Sequence, residues 1–91
     1  MRTLERTNLF KRDYRRVRRT DTALDKVLVS VIERLATDTE LPDRQRDHCL
    51  GGDWKGYRDC HVKPDLVLIY AKSGDDILTL VRLGSHSELF G

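Results

Sequence analysis

Apolar residues recur at three- and four-residue intervals through one stretch of the chain, where Leu24, Leu28, Val31, Ile32 and Leu35 fall between Thr22 and Thr37. A helix brings such positions onto one face, and Asp21 stands where a capping side chain would start it. Upstream, Leu4 to Phe10 has weak strand character. Lys11 to Thr20 then offers only Tyr14 and Val17 as apolar anchors, three residues apart, which predicts a short and mostly exposed helix. A polar connection from Asp38 to Asp47, broken by Leu41-Pro42, leads into a second half with a different period. There Tyr57 to Val62 alternates, Leu66 to Tyr70 is a continuous apolar run rich in β-formers, and Ile77 to Leu83 is a third strand. Lys72-Ser73-Gly74-Asp75 joins the last two as a turn. The pattern predicts a single α+β domain over residues 1–91 in the order β-α-α-β-β-β. Its two N-terminal helices pack on a small antiparallel sheet, and Ser85 to Gly91 forms a short C-terminal turn.

Composition narrows the class. With 35% charged and 38% hydrophobic residues in 91, the chain has the make-up of a soluble globular protein, and no apolar run is long enough to cross a bilayer. Met1-Arg2-Thr3-Leu4 does not resemble the start of a secretory signal, so a cytoplasmic location is expected. Cys49 and Cys60 are then expected to be free thiols. The net charge of +2 conceals an asymmetry, because Met1 to Arg19 carries eight basic residues against Glu5 and Asp13. Arg12, Arg15, Arg16, Arg18 and Arg19 form a run suited to phosphate oxygens, since guanidinium is always charged and donates in pairs. A solvated helix face or an acidic protein partner would account for the same run.

The candidate chemistry lies in the second half, which holds all three histidines. Strand geometry sends Arg58, Cys60 and Val62 to one face and Tyr57, Asp59 and His61 to the other. Cysteine and valine belong inside, so Asp59 and His61 are expected to face outward. Asp65 begins the next strand across a tight Lys63-Pro64 connection, within reach of an imidazole. His86 follows the third strand and can project over the sheet edge, whereas His48 is expected in a loop. Cleavage of RNA by its own 2′-hydroxyl needs a base, an acid for the 5′ leaving oxygen and cations for the phosphorane. Imidazole suits either proton-transfer role near neutral pH, and Arg82 could supply the charge. A zinc site built on His48-Cys49 and Cys60-His61 is disfavoured, because neighbours on a strand point to opposite faces. No metal and no cofactor are expected. Trp54, Gly52 and Gly56 read as structural, while Phe90 near His86 could stack on a base.

Three segments together, DHCLGG around His48, DWKGYRDCHVKPDLVLIY from Asp53 to Tyr70, and RLGSHSELFG from Arg82 to Gly91, resemble the YafQ branch of the RelE-type toxins. The likeness covers the second half closely; the first half matches in its strand-helix-helix order. It implies a RelE-like fold and an endoribonuclease that enters the ribosomal A site, cleaves messenger RNA there and is neutralised by a DinJ/RelB-like antitoxin. Carried onto this chain, the implied active-site residues are His48, Asp59, His61, Asp65, His86 and Phe90. His86 would be the general acid, His48 or His61 the base, Asp59 and Asp65 the orienters of imidazole, and Phe90 the base stacker. Arg12, Arg15, Arg16, Arg19 and Arg82 would contact RNA, including ribosomal RNA. The rival readings are a non-catalytic RNA or ribosome binder, with no need of His86, and a corepressor acting only in an antitoxin complex.

Overall fold

Strand β1 (Thr3–Arg6) gives way to helix α1 (Asn8–Thr20) at Thr7, whose hydroxyl oxygen accepts the Phe10 N–H and so caps the helix. The computed structural model describes residues 1–91 throughout. This start corrects the expected boundary: Phe10 belongs to α1, not to the strand, and both Phe10 and Asp13 are buried. Tyr14 and Val17 also pack on the core, and the rest of α1 is exposed, as expected. Helix α2 (Leu24–Ala36) buries Leu24, Leu28, Val31 and Leu35, as its period predicts. Its N-cap, however, is Ala23 rather than Asp21; the Asp21 carboxylate instead accepts the Ala23 N–H and pairs with Lys63.

The second half supplies β2 (His48–Cys49), β3 (Arg58–Lys63), β4 (Leu66–Ser73) and β5 (Ile77–Gly84), followed by helix α3 (His86–Phe90). Two short 3-10 turns, Asp43–Gln45 and Gly52–Trp54, flank β2. The five strands form one sheet in the order β1-β5-β4-β3-β2; β1 runs parallel to β5 and the other pairs are antiparallel. His48 is therefore not in a loop but in a two-residue edge strand, opposite Asp59.

Both faces of the sheet are covered. The α1–α2 layer packs on Cys60, Val62, Leu68, Tyr70, Leu80 and Leu83. On the other face Val67, Ile69 and Leu89 form a smaller cluster, bordered by Leu50, Trp54, Tyr57 and Val81. The central strand β4 is buried on both sides from Leu66 to Tyr70, which is why its sequence runs apolar without alternation.

One buried polar group organises the sheet edge. Pairing of β1 with β5 stops at Arg6 and Leu80, and from there α1 side chains take over the edge of β5. The Thr7 hydroxyl donates to the Val81 carbonyl at 2.7 Å, and the Asp13 carboxylate accepts the Leu83 N–H at 3.0 Å. Asp13 also binds the Arg82 fork at 2.7 and 3.3 Å and Arg16 at 3.0 Å. Burial by itself pushes the Asp13 carboxyl up, but donation from Arg82, Leu83 and Arg16 outweighs it and holds the group below the usual carboxylate range.

A carboxyl held down in the folded state contributes stability that is complete above its unfolded value, about 3.9, and is lost as pH falls through the folded value. Asp13→Asn is expected to lower the unfolding free energy at neutral pH by about 2 kcal/mol, since it weakens several charge-assisted bonds at once. In urea denaturation measured against pH, the variant should lack part of the wild-type acid sensitivity; equal stability at pH 7 would contradict this.

Candidate active site

Asp59 sits on β3 on the face away from α1 and α2, as the alternation of the strand requires, but it does not face water. Its exposure is 1%, and its partner across the β3–β4 register, Ile69, belongs to the smaller apolar cluster. The expectation of an outward-facing Asp59 is thus corrected: alternation gives the face, and that face carries a second apolar cluster, with Leu89 of α3 and Leu50, Trp54 and Tyr57 on it, where solvent was expected. Burial raises the Asp59 carboxyl above its ordinary range, and positive charge on His48, His61 and His86 partly counters that rise.

The three rings come from three separate elements. His48 on β2 brings its Nδ1 to 3.0 Å from Asp59 Oδ1 and to 2.7 Å from the Arg46 carbonyl. A ring nitrogen carries one hydrogen, and the shorter contact takes it, so Asp59 Oδ1 stays buried without a hydrogen-bond donor while still feeling the charge. His61 lies two residues along β3 from Asp59 and is half-buried. Its ring centroid is 5.3 Å from that of His86, the first residue of α3.

Local sequence explains where α3 holds His86. Ser85 and Glu88 close a reciprocal capping box, with Glu88 N–H donating to the Ser85 hydroxyl and Ser85 N–H to the Glu88 carboxylate. Glu88 also pairs with Arg16 at 3.3 Å, tying α3 to α1. Gly84 permits this approach: a Cβ there would lie 3.1 Å from Glu88 and 3.2 Å from Arg16. Phe90 then stands 5.4 Å from His86 and edge-on to Trp54 at 6.2 Å, with Trp54 edge-on to Tyr57 at 5.5 Å. Phe90 remains 39% exposed beside the imidazole of His86.

The remaining expected residues divide into two groups. Asp65 is exposed in the Pro64–Asp65 turn, at the end of β3 where His61 lies, and forms no hydrogen bond or ion pair with an imidazole. Arg16 and Arg82 are engaged by Asp13, which leaves Nη1 of Arg82 and Nε of Arg16 without a partner in the chain. Arg12, Arg15 and Arg19 are exposed on α1 and unpaired. Sequence reasoning missed Asp47, Arg58 and Tyr70, which meet on the reverse of the sheet beneath His48. The one signal was a tyrosine ending an otherwise aliphatic buried strand, since a buried phenol needs a partner.

Comparison with known proteins places the chain. The family described as "Bacterial toxin of type II toxin-antitoxin system, YafQ" matches residues 2–91. The mRNA interferase toxin YafQ of Escherichia coli K12 is 36% identical over 90 residues, spanning 99% of this chain and 97% of that protein. A copper-bound L66S mutant toxin from Helicobacter pylori superposes with a TM-score of 0.91 at 42% identity, over 99% of this chain and 100% of that one. YafQ in the E. coli DinJ-YafQ toxin-antitoxin complex superposes with a TM-score of 0.83 at 36% identity, over 99% and 98% of the two chains. A match over nearly the whole length, with the same five-stranded α+β architecture, leaves one conclusion: the chain belongs to the YafQ family of type II toxins.

Proposed function

We propose that this toxin cleaves messenger RNA on the ribosome by acid-base chemistry at the Asp59 cluster, and that an antitoxin of the DinJ kind silences it. The observation that carries the reading is the gathering of His48, His61 and His86 about one buried carboxylate, beside an exposed aromatic ring. Family relatives named mRNA interferases supply the substrate class.

In this mechanism His48 is the base. The Arg46 carbonyl takes the Nδ1 hydrogen, so the Nε2 lone pair is free to accept the 2′-hydroxyl proton. The 2′ oxygen attacks the adjacent phosphorus, the bond from phosphorus to the 5′ oxygen breaks, and His86 protonates that leaving oxygen. His61, next to His86, adds positive charge to the phosphorane, as does the free Nη1 of Arg82. Phe90 stacks on a base and fixes the backbone bend. Asp65 joins from its turn once RNA lies between it and His61. Arg12, Arg15 and Arg19 extend the contact to ribosomal RNA.

The H. pylori relative is copper-bound, and imidazoles are good ligands for such ions. The steps proposed for this chain use its own side chains for every proton transfer. For the antitoxin, the surface between β1, α1 and α2 offers a groove of about 330 Å³ lined by Leu4, Phe10, Leu28, Val29 and Ile32, with Arg6 and Asp25 as its charged residues. An amphipathic antitoxin helix with acidic flanks matches that lining.

Two outcomes check the reading. His86→Gln is expected to cut cleavage of ribosome-bound messenger RNA by roughly 10²- to 10⁴-fold, the usual worth of a general acid, with the fold intact because His86 is exposed. Undiminished cleavage would remove His86 from the catalytic step. Asp59→Asn is expected to separate stability from activity. A carboxyl raised by burial favours folding below its unfolded value and loses that contribution as pH rises through the folded value, so at neutral pH the wild type bears a penalty. The variant should be more stable at pH 7, by about 1 kcal/mol, yet at least tenfold slower; a less stable variant would contradict the assignment.

A further inference from the structure

β2 is a poor platform for a catalytic base: it has two residues, lies at the sheet edge, and pairs with β3 only through His48 with Asp59 and Cys49 with Arg58. Yet His48 must present a definite nitrogen to RNA. The reverse of the sheet shows what steadies it. Strand alternation sends Asp47 and Cys49, on either side of His48, toward the helix-covered face, where β3 and β4 contribute Arg58 and Tyr70. The buried Tyr70 hydroxyl donates to Asp47 Oδ1. Arg58 Nε lies 3.2 Å from the same carboxylate oxygen and 3.3 Å from the Tyr70 hydroxyl, and its Nη1 is 2.8 Å from Cys49 Sγ. Arg58 is held more firmly protonated than usual, first by the Tyr70 contact and then by Asp47, against the opposing effect of burial.

Immediately before Asp47 the backbone is unusual. Arg46 closes the Asp43–Gln45 turn in the left-handed region, with φ of 46°, a conformation that costs a non-glycine residue energy and persists where neighbours enforce it. That conformation aims the Arg46 carbonyl at His48 Nδ1. The clamp on Asp47 therefore fixes the peptide that carries this carbonyl.

We infer that Asp47, Arg58 and Tyr70 are positioning residues for the reaction, a clamp through the sheet that holds the Arg46 carbonyl against His48 and so keeps the hydrogen on Nδ1 and the lone pair on Nε2. The inference rests on His48 acting as the base, and it assigns the choice of tautomer to residues that never touch RNA.

The test uses full-length Tyr70→Phe and Asp47→Asn, with two readouts. Nitrogen NMR of neutral His48 should show the Nδ1–H form dominant in the wild type and a shift toward Nε2–H in both variants. Cleavage should fall roughly tenfold in Tyr70→Phe, and this loss should vanish in a His48→Ala background, because a residue acting through His48 has nothing left to act on. Tyr70→Phe removes a single oxygen, and its thermal unfolding reports whether the fold survives; Asp47→Asn preserves shape if it does not. An unchanged His48 tautomer in both variants, or a Tyr70→Phe loss that persists in full without His48, would overturn the inference. Absence of cleavage by the wild type would overturn the proposed activity instead, and the tautomer measurement would still decide the clamp.

Discussion

A carboxylate buried beneath three imidazoles is the constraint on which the rest of the site depends. Asp59 costs the fold energy where it stands, since one of its oxygens has no hydrogen-bond donor and desolvation disfavours its charge. His48 Nδ1 stands 3.0 Å from that oxygen and the paired rings of His61 and His86 complete the cluster, so imidazoles from three distant chain segments face one buried carboxyl. Strain of this sort at a polar cluster, offset by good packing elsewhere, is how a small domain holds proton-transfer groups ready.

The sheet divides the labour. One face carries the α1–α2 core, which provides most of the buried apolar area; the other carries a small apolar cluster that serves as the floor of the site. The two sides communicate at the β5 edge. Asp13 closes that edge for α1, and Arg16 spans from Asp13 to Glu88 on α3, the element that presents His86 and Phe90. On the basic helix, the inward Arg16 braces the element that bears His86, while Arg12, Arg15 and Arg19 stay exposed and unpaired.

What the sequence disclosed follows physical periodicity. The 3.6-residue pattern of Leu24 to Leu35 and the doubly buried β4 were legible because a single face, or both faces, must be apolar. The start of α1 was not, because Leu9-Phe10 reads as β-forming, the first turn of the helix has no acidic residue, and Thr7 alone marks the cap. For Asp59 the strand period gave the correct face but the wrong exposure, since period says nothing about which loop or helix lies above. The pairing of Arg16 and Arg82 with Asp13, and the meeting of Asp47 with Tyr70, depend on register between strands far apart in the chain. Segment likeness to the YafQ toxins supplied the candidate residues, Asp59 among them; the fold added the burial of that carboxyl and the meeting of Asp47, Arg58 and Tyr70 on the reverse of the sheet.

Cleavage by the RNA's own 2′-hydroxyl, driven by protein imidazoles, leaves its signature in the chemistry of the severed ends. Ribosome-bound messenger RNA cut by the purified toxin should carry a 5′-hydroxyl on the downstream fragment and a 2′,3′-cyclic phosphate, or the monophosphate it hydrolyses to, on the upstream one. A 5′-phosphate facing a free 3′-hydroxyl, the product of an activated water, would contradict it.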